Sequence, residues 1–193
     1  MKCYQPKPLP RVYRNVSWLP VQPQLFGPMV LRGEADGTGG FINSNIPALL
    51  DVGIKLEDIY AVKYADFGAN MYGLTLAATK AFIEKNPQTV RAMVQALNRG
   101  TIDTIKDPAA ALKVMKGVDA MMKEDVEKVR LDLALSVTNT KWVKEHGLSV
   151  AQPERIKFTI DSVAAAYGIA NAPKPEDVYN DKFLPPVAER MVK

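Results

Sequence analysis

A chain of 193 residues, 47% hydrophobic and 24% charged, is long enough to bury a core and has neither the composition of a disordered segment nor that of a low-complexity one. Its net charge of +4 comes from 25 basic and 21 acidic residues mixed along the sequence without a basic block, so no nucleic-acid partner is expected. The single cysteine, Cys3, excludes an internal disulfide and a cysteine-based metal site.

The opening stretch, MKCYQPKPLPRVYRNVSW, is proline-rich and polar where a secretory signal needs an apolar run, and only Met1 and Lys2 precede Cys3, too little for a lipoprotein anchor. No later run is apolar for the length of a membrane span, so no stable membrane insertion is expected. Read literally, the chain is cytoplasmic. Residues 1–23 form an extended lead-in without periodicity. Pro28 then starts a short helix that Gly33 stops.

Residues 36–41, DGTGGF, read as a short strand able to approach another backbone closely. Ser44 or Asn45 caps a helix running through Val52, Gly53 supplies the left-handed residue after it, and Ile54 folds back on the last turn. Residues 58–64, DIYAVKY, alternate as a strand, and residues 65–71 break it. Residues 72–79 alternate strictly: Tyr72, Leu74, Leu76 and Ala78 make a bulky face, while Gly73, Thr75, Ala77 and Thr79 make a small face against which a helix or ligand can lie.

After Asn86-Pro87 the pattern becomes helical. Val90, Val94, Leu97, Thr101 and Ile105 make one stripe, and Asp107-Pro108 starts a second helix. A third begins near Glu124 with Val126, Val129 and Leu133. A fourth begins at Pro153, with Ile156, Ile160, Val163 and Tyr167 as its stripe and Gly168 as its stop. The tail is short turns pinned by prolines. Strands and short helices followed by a helix-rich half predict an α/β chain with residues 36–41, 58–64 and 72–78 as core strands.

The glycine-rich segment is not a phosphate loop, because no Gly-Lys-Ser/Thr follows Gly40, and not a dinucleotide fingerprint, because Ile42 stands where the third glycine belongs. It reads either as a tight turn or as a ligand loop. In the latter the glycines admit a small molecule, Phe41 is an apolar wall, and Asn43, Ser44 and the helix N-terminus supply donors. His146, the sole histidine, precedes Gly147 at a helix end and reads as a cap. Asp66 reads as a turn former, Trp18 and Trp142 as anchors, and Met115, Met121 and Met122 as gap fillers. Residues 123–128 form a charged helix surface. These residues give no support to catalysis, and no metal or cofactor is expected.

Four segments occurring in one order, LRGEADGTGGF, YADFGANMYG, ALNRGTIDTIKDPAAAL and TIDSVAAAYG with DKFLPP, resemble the periplasmic substrate-binding proteins of ABC importers for aliphatic sulfonates, taurine, nitrate and thiamine pyrimidine precursors. The resemblance spans about Val16 to Pro186. It implies two α/β lobes closing on a small solute, a membrane permease as partner, and a periplasmic address. On that map residues 16–64 belong to lobe two, residues 65–71 to the inter-lobe crossing and residues 72–193 to lobe one with the C-terminal helices. Thr38, Gly40, Phe41, Asn43 and Ser44 are implied to line the cleft, with Asp66 and Tyr72 at the crossing.

Residues 1–15 do not resemble the family, and the chain maps onto the C-terminal part of such a protein. A truncated product of this kind is expected to be marginally stable, to self-associate and to capture solute weakly, or to act as an interaction module paired with another chain. The related enzymes that make the thiamine pyrimidine use a cysteine-rich segment and a histidine. Cys3 and His146 stand in no such setting, so an enzyme is not expected.

Overall fold

The computed structural model describes residues 16–192. Of the lead-in expected over residues 1–23, residues 1–15, Cys3 among them, lie outside the described residues, and residues 16–22 carry no regular element. From Val16 onward the chain forms ten α-helices among the described residues: α1 Phe26–Leu31, α2 Ile42–Asp51, α3 Lys80–Lys85, α4 Pro87–Lys106, α5 Pro108–Val118, α6 Glu124–Thr138, α7 Lys141–His146, α8 Pro153–Tyr167, α9 Pro175–Val178 and α10 Val187–Arg190. Short 3-10 turns occupy Pro23–Leu25, Leu56–Asp58 and Tyr64–Phe67.

The three expected core strands are not formed: the described residues contain no strand. Alternation prepares a segment for pairing, but a strand exists only when a neighbouring backbone supplies its hydrogen bonds. Residues 36–41 contain bends, and 3-10 turns take up both ends of residues 58–64. Residues 72–79 run without turn or bend, but no other segment lies alongside to complete a ladder. Their bulky face therefore meets solvent, with Leu74 79% exposed and Leu76 53% exposed.

Helix ends follow local chemistry closely. Asp107 accepts a hydrogen bond from the Ala110 N–H at 2.9 Å, Thr79 accepts from Phe82 and Thr140 from Val143. Proline opens α4, α5 and α8, and left-handed Gly168 ends α8. The expected cap of α2 is displaced. The helix begins at Ile42, ahead of Ser44 and Asn45, whose N–H groups both bond the Phe41 carbonyl. Its other end is as expected, with Gly53 at a φ of 95° and the Ile54 N–H bonding back to Leu49.

α2 packs along α6 and against α1, and α5 bridges α4 to α6. The core is small: Ile46, Pro47 and Leu49 of α2, Ile102 of α4, Val126 of α6, Leu148, and Ile156 and Ile160 of α8. The α4 stripe is rotated from its expected position. Ile102 and Asn98 are the buried residues there, while Leu97 is 49% exposed. The tail is fastened by Arg190, which is buried and donates to the carbonyls of Pro185, His146 and Leu148.

Candidate functional site

The loop that ends at Phe41 folds back on the first turn of α2. Asn45 Nδ2 donates to Thr38 Oγ1 at 3.2 Å, and a Cβ on Gly40 would stand 2.8 Å from Asn45 Oδ1. Gly40 is therefore required by the Asn45 carboxamide beneath it. Just ahead of the loop, the exposed Arg32 and Glu34 pair at 2.6 Å, and the hydrogen bond from Arg32 holds the Glu34 carboxyl below its ordinary value.

Phe41 leaves this loop half-exposed and lies against the chain at Gly73, where a Cβ would stand 2.6 Å from Phe41 Cε1. The small face expected at Gly73 thus accommodates a side chain of this chain. Tyr64 lies beside Gly39, its hydroxyl 3.6 Å from where a Cβ would be. Tyr72, next to Gly73, is held from α8: its N–H donates to Thr159 Oγ1 at 3.0 Å, its hydroxyl accepts from the Gln152 N–H at 2.8 Å, and the Arg155 guanidinium lies 4.2 Å above its ring. Phe41, expected in the cleft lining, thus lies against the residue that follows Tyr72, which was expected at the crossing.

The other expected residues divide. Thr38 and Gly40 join the same loop through Asn45. The Asn43 carbonyl accepts from Arg130 Nη1 at 3.0 Å, because Pro47, four residues on, has no N–H to give it. Ser44 is exposed on the first turn of α2, and Asp66 is exposed in the Tyr64–Phe67 turn. Neither is drawn into the Phe41 contact. Of the residues that complete the arrangement, Asn45 was marked only as a helix cap, Gly73 by the alternation of residues 72–79, and Thr159 only as the start of TIDSVAAAYG; Arg155 was not marked at all.

A separate cleft of about 380 Å³ opens at the far end of α2, about 15 Å along the helix from Phe41. Asp51, Met115, Met121 and Met122 are among its lining residues. Four of its charged groups are paired, Asp51 with Lys123 at 2.7 Å and Glu127 with Arg130 at 2.8 Å, while the Asp119 carboxylate accepts from the Met121 N–H. His146 ends α7, its ring stacked 3.7 Å from Trp142 and its Nδ1 3.1 Å from the Trp142 carbonyl oxygen. Among the described residues, no group of His, Cys, Asp and Glu is arranged to hold a metal ion, and no helix is long and apolar enough to cross a membrane.

The family model described as NMT1/THI5 like matches residues 13–111, just over half of the chain and every one of the expected site residues. The chain belongs to the NMT1/THI5-like family. This is a family of periplasmic binding proteins for ABC importers, and membership implies a solute-binding role. The match ends in α5, so Gln152, Arg155 and Thr159 lie beyond it. No curated protein and no solved structure matches the chain.

Proposed function

We propose that this chain is the solute-capturing component of an ABC importer, taking a small molecule such as a sulfonate, nitrate or a pyrimidine precursor, without catalysis, and delivering it to a membrane permease in the periplasm. The observation that carries the reading is the contact of Phe41 with Gly73, the residue after Tyr72, inside the family-matched span. There a half-exposed aromatic ring stands beside a glycine-rich loop whose backbone a small molecule can reach. On this reading Thr38, Gly40, Phe41, Asn43 and Ser44 form one wall, with Asp66 and Tyr72 beside them. Residues 16–64 and 72–193 belong to two lobes joined at residues 65–71.

A thermal-shift screen with taurine, nitrate and hydroxymethylpyrimidine tests it. A rise in midpoint with one of these, lost in both Phe41→Ala and Ser44→Ala, supports the site. A rise that both variants keep places the solute elsewhere.

A second reading is favoured by the exposed apolar side chains between α2 and α3, Tyr60 at 92%, Phe67 at 79% and Leu74 at 79%. It makes the chain an interaction module whose unpaired segments pair with another polypeptide. A concentration-dependent sedimentation coefficient without any solute response separates it from the first.

A further inference from the structure

We propose that Arg155 is a positioning residue of the Phe41–Gly73 contact, setting from α8 where the Phe41 ring lies. Arg155 and Thr159, four residues apart, share a face of α8, and Gln152, the N-cap just ahead of Pro153, adjoins that face. That face holds two consecutive residues at four points. Arg155 Nη2 donates to the Met71 carbonyl at 2.9 Å and its guanidinium covers the Tyr72 ring at 4.2 Å, while Thr159 Oγ1 takes the Tyr72 N–H and the Gln152 N–H meets the Tyr72 hydroxyl. Thr159 in turn donates to the Arg155 carbonyl at 2.8 Å, which keeps its hydroxyl lone pairs turned to Tyr72.

Gly73 follows directly and has no side chain to absorb a displacement. Any shift of Met71 and Tyr72 therefore passes to the backbone on which Phe41 Cε1 rests. Among the described residues no carboxylate pairs with Arg155, and its Nε is buried without a hydrogen-bond partner. The guanidinium meets a carbonyl and an aromatic face, and its flat shape serves both at once. A lysine can reach the carbonyl but has no plane to lay on the ring. That the placement serves solute capture rests on the function proposed above; the mechanical link does not.

The test places 4-trifluoromethylphenylalanine at position 41 of the full chain and follows its fluorine NMR signal. Arg155→Ala is expected to shift and broaden the signal while the helical circular dichroism is retained. Arg155→Lys should bring it part of the way back, and Lys157→Ala, an exposed neighbour on α8, should leave it in place. An unmoved signal in folded Arg155→Ala, or an equal shift in Lys157→Ala, overturns the proposal. If Arg155→Ala does not fold, the near-isosteric Thr159→Val carries the test: it must move the same signal, and an unmoved one is fatal. Titrating taurine, nitrate and hydroxymethylpyrimidine into the labelled wild-type chain reads solute capture separately, so either claim can fail without the other.

Discussion

Arg130 of α6 gives a hydrogen bond to the carbonyl of Asn43 in α2, the carbonyl that Pro47 cannot serve. A proline inside a helix removes one N–H and leaves the carbonyl four residues back in need of a donor. Arg130 supplies it across the α2–α6 interface while keeping Glu127 at 2.8 Å. Arg130→Met is therefore expected to lower stability by about 1–2 kcal/mol. In a Pro47→Ala background, where residue 47 regains an N–H, the same substitution should lower it by clearly less. Urea unfolding of the four proteins in this cycle checks the coupling, and equal losses in both backgrounds refute it.

Gly73→Ala puts a methyl group where Phe41 Cε1 now stands. Because the ring is half-exposed, it can swing outward, so the expected stability loss is about 1 kcal/mol or less. The expected structural effect is larger than the energetic one: Phe41 leaves Gly73 and becomes more accessible. A crystal structure of the variant with Phe41 in its original place would show that the contact does not fix the ring.

Arg190 is a buried cation bonded to three backbone carbonyls, and a Cβ on Gly147 would stand 3.2 Å from its Nη1. Arg190→Ala strands those carbonyls and frees the tail from the turn after α7. A loss of about 2–3 kcal/mol is expected, together with faster proteolysis after residue 174. Unchanged denaturation midpoints and cleavage rates would remove the tail from the account of stability.

Tyr179 donates its hydroxyl proton to the Ser149 carbonyl, and burial, followed by the charge of Asp181, raises its pKa above the ordinary 10.0. The fold thus favours the neutral phenol. Its contribution is whole below pH 10.0 and is lost as the pH rises through the folded value. Midpoints measured from pH 8 upward should fall more steeply above that point in the wild type than in Tyr179→Phe. Parallel curves would contradict the assignment.

Helix boundaries were legible where their chemistry is local. Asp107-Pro108, Asn86-Pro87, Gly53, Gly147 and Gly168 each act through a proline ring, a side-chain cap or a left-handed backbone, and each is found where the sequence puts it. The strands were not, because the alternation of residues 72–79 records what the segment could pair with and says nothing of whether a neighbour is present. The candidate site was half legible. Phe41 and Tyr72 stood out by residue type and resemblance, and Gly73 by its place on a small face. Arg155 and Thr159 did not, since their partners lie more than 80 residues away in sequence. The Asn43 carbonyl was reachable in principle, because Pro47 announces an orphan acceptor, but not the Arg130 that satisfies it.

The central claim is that Phe41, where it lies against Gly73, is a wall of a solute site, and calorimetric titration tests it most directly. Taurine, nitrate and hydroxymethylpyrimidine are each titrated into the wild-type chain and into Phe41→Ala. The account predicts saturable binding of at least one by the wild type, weakened about tenfold or more in the variant, a loss of about 1.4 kcal/mol. Wild-type binding that Phe41→Ala leaves unchanged, or no binding of any of the three by a folded wild-type chain, would contradict it.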